Sequence, residues 1–262
     1  MNFLFWNIDR QSIDEAIVSA TVENHINVLV IAEYKDSTRN LHELFLSEEY
    51  PMYEYNSLPG YERIKIFMSF PNGNVQRLAD KRHYLALRLP HEELGYITLF
   101  AVHFFSKLWK GENDFTLKSA NFYNEIISIE DRVKSKNTVL LGDFNMNPFE
   151  VGMIGAGRLH AFPTKYEANK IKRILDDDYY EMFYNPMWRF LGDEDTVPGT
   201  YLHASPNSDG LYWNLFDQVL VRPKLIERFS KLEILTYIKK EKLLDEKKIL
   251  LSDHLPIKFS IN

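Results

Sequence analysis

Polar residues stand at the ends of several apolar segments in this sequence, and their types are those that bind metal ions and move protons. They are Asn7, Glu33, His103, Asp143 with Asn145, and Asp253 with His254. Rigid strand ends can hold such side chains together at one rim of a fold. Carboxylates, amides and imidazoles that converge there could bind a divalent cation and deprotonate water, which is the chemistry of metal-assisted hydrolysis.

A further carboxylate, Asp217, falls inside the apolar run 215–221. A carboxylate in a buried strand is costly unless it is paired or binds a metal. Taken alone, Asn7 could end a strand, Asp143 could form an Asx turn, and His103 could be satisfied by a neighbour in a sheet. Their joint occurrence favours a functional site.

The elements that must position these residues alternate between strands and helices. Ser12-Ile13-Asp14-Glu15 has the form of a capping box and predicts the start of a helix. A second, longer helix is predicted from apolar residues at helical spacing between positions 115 and 133. Strands are predicted at 3–8, 28–32, 63–70, 83–89, 96–104, 138–141, 216–221 and 257–261. The order predicts an α/β fold in which two packed sheets are flanked by helices.

The composition is that of an ordinary globular protein of 262 residues, and no repeat or linker divides it, so one domain spanning 1–262 is predicted. The 31 basic and 37 acidic residues give a net charge of −6, which argues against a protein that coats duplex nucleic acid. The absence of cysteine excludes a disulfide scaffold, a cysteine-ligated zinc and a thiol nucleophile. No leader and no run of ~18 apolar residues is present, which predicts a cytoplasmic protein without a membrane span.

Five motifs give this sequence a resemblance to the endonuclease/exonuclease/phosphatase superfamily, whose motifs follow the same order. They are Trp6-Asn7, Ala32-Glu33, Gly142-Asp143-Phe144-Asn145, Phe216-Asp217 and Ser252-Asp253-His254-Leu255-Pro256. The superfamily includes deoxyribonuclease I, apurinic/apyrimidinic endonucleases, inositol-polyphosphate phosphatases and neutral sphingomyelinases. The resemblance covers nearly the whole chain and implies a deoxyribonuclease-I-like, four-layer α/β/β/α sandwich with two mixed sheets.

The resemblance also implies a Mg²⁺ site, which Mn²⁺ could occupy as a substitute. Glu33 would be the main ligand, with Asn7 and Asp253 close by. Independent chemistry agrees, because Mg²⁺ prefers a few carboxylate or amide oxygens and retains several waters.

Catalytic roles follow from the same resemblance. Asp143 would orient and deprotonate the attacking water, and Asn145 would hold that water or a phosphate oxygen. His254 would contact the phosphate, kept cationic and oriented by Asp217. His103 would be a second histidine that contacts the phosphate or assists the leaving group.

Some positions depart from the family pattern. Ala32 replaces a glutamine found in many relatives, and Tyr61-Glu62-Arg63 replaces a glycine-rich strand start, so no ligand role is carried over to Glu62. The apurinic endonuclease branch usually has tyrosine at the position of His103, so this chain is more similar to the deoxyribonuclease, phosphatase and sphingomyelinase branches. Lys35 stands where several relatives place a basic residue near the phosphate.

The aromatic-rich stretch between positions 184 and 213 supplies further candidates for substrate binding. Trp188, Arg189 and Trp213 could stack on bases or contact phosphates, and the alternative is that the aromatics fill a small loop subdomain. The acidic run Asp176-Asp177-Asp178 is interpreted as a solvated cap, since consecutive side chains point apart and rarely share a metal.

These observations predict a Mg²⁺-dependent phosphoesterase acting on nucleic acid by in-line attack of water. An alternative is a phosphatase or phosphodiesterase for a small nucleotide, an inositol phosphate or a lipid head group. A lipid substrate would call for an exposed apolar loop, for which Phe104, Phe105 and Trp109 are the candidates, interrupted by Lys107 and Lys110. A non-catalytic binding module on the same fold is the alternative of another class. The oligomeric state is left open.

Overall fold

Two large mixed β-sheets carry most of the strands in the computed structural model. The structure describes residues 1–57, 63–107, 111–192, 197–203, 210–245 and 248–262. Four residues named in the sequence predictions lie outside these ranges: Tyr61, Glu62, Trp109 and Lys110.

The first sheet has six strands from both ends of the chain. They are β1 (Asn2–Asn7), β2 (Val28–Ala32), β3 (Tyr53–Tyr55), β4 (Ile64–Met68), β16 (Phe229–Ile234) and β19 (Ile257–Ile261). Their order is β16-β19-β1-β2-β4-β3. The pair β1 and β2 is parallel, and β19 runs antiparallel to β1.

The second sheet has seven strands from the middle of the chain. They are β5 (Gln76–Lys81), β6 (Tyr84–His91), β7 (Gly95–His103), β8 (Thr138–Asp143), β9 (Ala161–Phe162), β12 (Phe183–Tyr184) and β15 (Asp217–Val221). Their order is β5-β6-β7-β8-β15-β12-β9, with β7 parallel and β15 antiparallel to β8.

Short strand pairs and helices complete the fold. The pairs are β10 (Lys172–Leu175) with β11 (Asp178–Glu181), β13 (Tyr201–Leu202) with β14 (Trp213–Asn214), and β17 (Tyr237–Ile238) with β18 (Glu241–Lys242). The α-helices are α1 (Asp14–Glu23), α2 (Arg39–Ser47), α3 (Glu112–Val133), α4 (Val151–Ile154) and α5 (Lys165–Ala168). The 3₁₀ helices are Asn72–Asn74, Pro186–Phe190 and Pro223–Arg228. Among the described residues, no helix combines the length and apolarity needed to cross a bilayer.

Alternate residues of β8 show how the layers pack. Val139 and Leu141 belong to the large core between the sheets, whereas Leu140 belongs to a second core together with Phe122 and Ile126 of α3. This is the two-residue alternation of a strand that is covered on both faces. Helices therefore cover a sheet that packs on another sheet, which confirms the predicted sandwich of two mixed sheets flanked by helices.

The start of α1 differs from its prediction. The helix begins at Asp14 after Ile13, without a side-chain cap. The Ser12 hydroxyl donates to Asp36 Oδ2 at 2.6 Å instead of capping the helix. The predicted capping box is therefore wrong, because a contact made by folding satisfies the serine elsewhere.

Gly142 allows β7 and β8 to approach closely just before their functional ends. A β-carbon at this position would lie 1.9 Å from the carbonyl oxygen of Val102, and the φ angle of +153° disfavours other residues. Only glycine fits without displacing a neighbouring backbone. The closeness of these strands fixes His103 beside Asp143, its partner in the register.

The variant Gly142→Ala is expected to lose at least about 3 kcal/mol of folding free energy, because the added methyl group has no space and a rigid backbone cannot give way. Urea denaturation would measure the loss. Gly73→Ala is the matched control, since a β-carbon at Gly73 meets nothing within 4 Å. Equal stability of the two variants would contradict the steric argument.

Candidate active site

Strand ends of both sheets bring the candidate residues together. In the seven-stranded sheet His103, Asp143 and Asp217 are direct neighbours across β7, β8 and β15. Directly opposite residues project from the same face of a sheet. That face is the inner one, because Asp143 has the parity of the inward-facing Val139 and Leu141. Asn7 reaches it from β1, the facing strand of the other sheet.

Asp143 is buried and fixed by two amide side chains. Its Oδ2 accepts hydrogen bonds from Nδ2 of Asn7 and Nδ2 of Asn145, both at 3.0 Å. Its Oδ1 accepts from the backbone N–H of Asn145 at 2.7 Å. A carboxylate can accept about four hydrogen bonds. One position on Oδ1 therefore remains for another donor, such as a water molecule.

Asp217 and His254 form a buried ion pair beside Asp143. His254 Nδ1 lies 2.7 Å from Oδ2 of Asp217, whose backbone N–H donates to the Thr200 hydroxyl at 3.1 Å. Burial opposes a charge on His254, but the carboxylates of Asp217, Asp143 and Asp253 together raise its pKa to about 10. The imidazole is therefore cationic at neutral pH, with Nε2 as its second donor.

The ring of His254 is also held by its neighbours. The Tyr201 ring packs against it at 4.8 Å between centroids, and Tyr201 itself stacks on Phe216 at 5.3 Å. The Trp6 indole donates to the His254 carbonyl at 2.9 Å, and the Ser252 hydroxyl accepts from the His254 N–H at 3.2 Å. These contacts hold the backbone of His254 and pack one side of its imidazole.

Glu33 and His103 form a second carboxylate–imidazole pair. His103 Nε2 lies 3.3 Å from Oε1 of Glu33, and Arg10 Nε lies 3.1 Å from Oε2. The hydrogen bond from His103, assisted by the charges of His103, Arg10 and His254, holds the pKa of Glu33 below its usual value despite burial. Glu33 is therefore ionised, and the charge of His254 reaches it across the site.

Electrostatics joins the groups into one site. Burial raises the pKa of Asp143, as does the charge of Asp217, while the two histidines act in the opposite direction. A carboxylate with a raised pKa is a better proton acceptor than a free one. Asp143 thus combines a fixed orientation with the basicity needed to take a proton from water.

Asp253 completes the rim of the site and has an unsatisfied oxygen. Burial raises its pKa to about 6. Its Oδ1 is buried and forms no hydrogen bond within the described residues, although His254 Nε2 lies 3.7 Å away. The side chain is nevertheless 43% exposed, so the carboxylate is open to a ligand from solvent.

Two sets of side chains could hold a divalent metal. Ligand atoms of Asp143, Asp217 and His254 all lie within 4.8 Å of one another. However, His254 Nδ1 is already bonded to Asp217, and three donors occupy Asp143. The other set, Asn7, Glu33 and Asp253, is the one that the motifs predicted. Its oxygen donors and the unsatisfied Oδ1 of Asp253 suit a hard cation such as Mg²⁺ by ligand type. Both oxygens of Glu33 pair with cationic side chains here, so a metal would take the place of His103 or Arg10 on one of them.

Left-handed backbone conformations mark two of the site positions. Glu33 has a φ of +59° directly after β2, and Asn145 has a φ of +51° shortly after β8. A non-glycine residue in this region is uncommon and mildly strained, and such strain is often found at functional sites. The sharp turn places Asn145 so that its side-chain nitrogen folds back onto Asp143. Its free atom is consequently the carbonyl oxygen Oδ1, which can accept a hydrogen bond from water.

The candidate substrate-binding residues have less direct relations to the site. Lys35 is exposed, and no hydrogen bond or ion pair joins it to the described site residues. Trp188 is half-buried and Arg189 is exposed in the 3₁₀ helix Pro186–Phe190. Trp213 packs on the main core opposite Leu202. Core packing is thus sufficient to explain the position of Trp213. The strand paired with it, β13, carries Tyr201, whose ring packs on His254.

Sequence reasoning missed two residues of the site. Arg10 pairs with Glu33 from a polar turn after β1, and Thr200 accepts a hydrogen bond from the Asp217 backbone. A lone arginine or threonine in a polar segment gives no signal of its own. Only the tertiary structure shows their partners.

Comparisons with known proteins place this arrangement in a recognised fold. No family model matches the sequence, and no curated protein matches it. The endonuclease domain of TRAS1, a telomere-specific non-LTR retrotransposon, is similar in structure with a TM-score of 0.59 and 12% identity, covering 100% of this chain and 98% of that one.

Two further solved structures are similar over almost the same extent. A variant of the 3′ phosphatase NExo from Neisseria, bound to product DNA hairpin, has a TM-score of 0.59 at 12% identity, covering 100% of this chain and 99% of that chain. An endonuclease/exonuclease/phosphatase family protein from Leptotrichia buccalis C-1013-b has a TM-score of 0.57 at 13% identity, with the same coverage of both chains. The chain therefore has the deoxyribonuclease-I-like fold of the endonuclease/exonuclease/phosphatase superfamily, as its motifs predicted.

Proposed function

We propose that this protein is a divalent-metal-dependent phosphoesterase that hydrolyses phosphodiester bonds in nucleic acid, with Mg²⁺ as its metal and Mn²⁺ as a substitute. The observation that carries the proposal is the buried Asp217–His254 ion pair beside the buried Asp143. A fixed cation next to a fixed base is what attack of water on an anionic phosphorus requires.

Asp143 acts as the general base in this proposal. The free position on Asp143 Oδ1 accepts one hydrogen bond from the attacking water, and the side-chain amide oxygen Oδ1 of Asn145 accepts the other. The proton passes to Asp143 as the water oxygen bonds to phosphorus and the opposite phosphorus–oxygen ester bond breaks. The leaving oxygen keeps the electron pair of that bond and takes a proton from solvent. Hydrogen bonds from Asn7 and Asn145 keep the carboxylate from rotating away during that step.

The two histidines serve the phosphate. His254 donates from Nε2 to a non-bridging oxygen while Asp217 holds Nδ1, so the negative charge that develops meets a cation already in place. His103 stands one strand away from Asp143 and contacts the phosphate or the leaving oxygen. Its Nε2, which lies 3.3 Å from Glu33, is the atom that would reach the substrate, because Nδ1 is buried.

Asn7, Glu33 and Asp253 would hold the metal. Glu33 and Asp253 supply carboxylate oxygens and Asn7 supplies an amide oxygen, and Oδ1 of Asp253 needs a partner. When bound there, a divalent cation supplies Lewis-acid stabilisation of the phosphate charge.

A basic cluster supports nucleic acid as the substrate. It consists of Arg63, Arg82 and Lys118, whose charges act on His83. Within the described residues, none of the three forms a salt bridge. Burial and these charges lower the pKa of His83 to about 4, so it adds no charge. His83 Nδ1 lies 3.4 Å from the carbonyl oxygen of His103, so the cluster borders the site and can hold a neighbouring phosphate of a polynucleotide.

The structural neighbours add weaker support. One of them is a telomere-specific retrotransposon endonuclease domain, and another was solved bound to a DNA hairpin. At 12% identity these similarities establish the fold alone, so the substrate is proposed on the basis of the basic cluster.

A panel of substrates tests the proposed function. Labelled single- and double-stranded DNA, RNA, mononucleotides and inositol phosphates would be incubated with Mg²⁺, and in parallel with EDTA. Cleavage of a polynucleotide that EDTA abolishes is the expected result. If only the small phosphate esters were hydrolysed, the proposal of nucleic acid as the substrate would be wrong and a small substrate would take its place. If nothing were hydrolysed, a non-catalytic binding module would be favoured.

The basic cluster yields a prediction of its own. The double variant Arg82→Gln, Lys118→Gln should bind a DNA oligonucleotide more weakly. A plot of log affinity against log salt concentration should become shallower, with the magnitude of its negative slope reduced by about 2. The reason is that each substitution leaves one phosphate without its cationic partner. Binding is measured in the Asp143→Asn background, which prevents cleavage. Hydrolysis of a small phosphodiester by the double variant should be unchanged.

Arg39→Gln is the matched control, because Arg39 is an exposed arginine on α2 that pairs with Glu43. It should leave the salt slope unaltered. A double variant with an unaltered salt slope would show that the basic cluster does not contact the substrate.

A further inference from the structure

The hairpin formed by β10 and β11 exposes more apolar surface than a solvated loop should. Ile174 and Tyr179 form a cross-strand pair and are 57% and 61% exposed, and the flanking Ile171 is 58% exposed. Contiguous exposed apolar side chains mark interaction surfaces. A two-stranded hairpin is also marginally stable in water by itself.

The two edges of this hairpin differ. The Tyr123 hydroxyl of α3 accepts a hydrogen bond from the N–H of Glu181 at 2.7 Å, so the rest of the protein covers the outer edge of β11 at its end. In the described structure β10 has β11 as its only strand neighbour. The outer edge of β10 is therefore free to pair with another strand.

The turn determines which backbone groups point out from β10. Asp176 and Asp177 both have positive φ, which is typical of a two-residue type I′ turn, and Leu175 pairs with Asp178 across it. Directly opposite pairs alternate between hydrogen-bonded and non-hydrogen-bonded. The Ile174–Tyr179 pair is consequently non-hydrogen-bonded, so the N–H and C=O of Ile174 point away from β11.

The charges along this edge are self-complementary. Residues 172–177 read Lys-Arg-Ile-Leu-Asp-Asp, with two cations, two apolar residues and two acids. If a second copy of β10 pairs antiparallel with the first about a two-fold axis at Ile174, Ile174 lies opposite Ile174 of the second copy. Lys172 then lies opposite Asp176 of the second copy. Ile174 then exchanges both of its backbone hydrogen bonds with its counterpart, as an antiparallel ladder requires.

We propose that two copies of this chain associate through the β10 edges to form a four-stranded antiparallel sheet. The contact is isologous, because the same edge serves both copies around a two-fold axis. A row of Tyr179, Ile174 and their counterparts forms its apolar centre, and lysine–aspartate pairs flank that centre. The contact uses one four-residue strand from each copy, and an interface of that size makes the dimer reversible.

The position of the hairpin leaves the candidate active site open in the dimer. The chain leaves β11 for β12, which pairs with Val221 at the carboxyl end of β15. Asp217 and the site lie at the opposite end of β15. Dimer formation and hydrolysis are therefore separable in experiments.

A lipid surface fits this hairpin less well. The tip carries Asp176, Asp177 and Asp178, all exposed, and acidic groups at the tip oppose entry into a bilayer. Of the apolar residues that the sequence offered for contact with a lipid surface, Phe104 is buried in the core and Phe105 is half-buried.

Cysteine cross-linking tests the geometry, because the natural chain contains no cysteine. Under mild oxidation Ile174→Cys should give a disulfide-linked dimer on non-reducing gels. Tyr166→Cys is the control, since Tyr166 is 77% exposed but lies outside β10. Several-fold more dimer from Ile174→Cys supports the proposal. Equal cross-linking of the two variants would indicate random collision and overturn it.

Sedimentation equilibrium tests the association without a cross-link. The wild-type mass should rise from 30.9 kDa towards twice that value as concentration increases. Ile174→Pro, which removes the outward N–H, and Lys172→Glu, which repels Asp176 of the second copy, should each shift the equilibrium to monomer. A wild-type chain that stays monomeric at every concentration, or that pellets with anionic vesicles through this hairpin, would refute the proposal.

Discussion

Asp143→Asn is expected to reduce kcat for Mg²⁺-dependent hydrolysis by about 10²–10⁴-fold, the usual contribution of a general base. The amide has nearly the shape of the carboxylate but cannot take a proton. Single-turnover kinetics on a polynucleotide would measure the chemical step. Asp178→Asn, at the exposed tip of the β10–β11 hairpin, is the control and should leave kcat unchanged.

Stability separates loss of catalysis from loss of structure in this variant. Burial raises the pKa of Asp143, which means that its charge is held in the fold at a cost. Neutralising the side chain removes that cost but replaces one acceptor oxygen by an NH₂ group, so the variant should stay folded with a melting temperature near that of the wild type. An inactive variant that is also unfolded would not support a catalytic role, and a folded variant with wild-type kcat would show that Asp143 is not the base.

A large loss of stability is expected from Arg222→Met. Arg222 is buried at the far end of β15, where Nε and Nη2 bond to the two carboxylate oxygens of Glu130 at 2.8 and 2.9 Å. Its guanidinium also donates to the Met182 carbonyl and stacks on Phe183. Removing one partner of a buried ion pair typically costs about 3–5 kcal/mol, because the other charge stays buried.

Lys136 moderates that cost, since its Nζ lies 3.1 Å from Glu130 and remains after the substitution. A loss near 3 kcal/mol is therefore expected, within the range of about 3–5 kcal/mol for such pairs. The double variant Glu130→Leu, Arg222→Met is the control and should recover much of the stability, because no buried charge is left alone. Urea denaturation of both variants decides the matter: a double variant less stable than Arg222→Met would contradict this account.

The sequence was most informative where chemistry interrupts an apolar pattern. The run 138–141 followed by Gly142-Asp143 predicted both a buried strand and a functional residue at its end, and the structure has β8 in that place. Asp217 was predicted to be a paired, buried carboxylate, and His254 is its partner. In both cases a charged residue stands in an apolar segment. Because burying a charge is costly, such a residue can be recognised as functional from the sequence alone.

Features that depend on tertiary contacts were not predictable. Ser12 matched a capping box, yet it bonds to Asp36 from another segment. Asp176-Asp177-Asp178 was interpreted as a solvated cap, whereas Asp176 and Asp177 form the turn of a hairpin. The order of charges along β10 suggests a function only when a second copy of the strand is placed beside it. The basic cluster draws on residues far apart in sequence, so no local pattern could reveal it.

The hydrogen bonds that join β1 to the segment before β19 have a consequence for biosynthesis. The Trp6 indole bonds to His254, and the Ser252 hydroxyl bonds to the Asn7 carbonyl, so residues about 245 positions apart complete one constellation. Contacts of such sequence separation form late in folding. A nascent chain lacks His254 until the segment before β19 has been synthesised, so the proposed hydrolase cannot act before that segment joins β1.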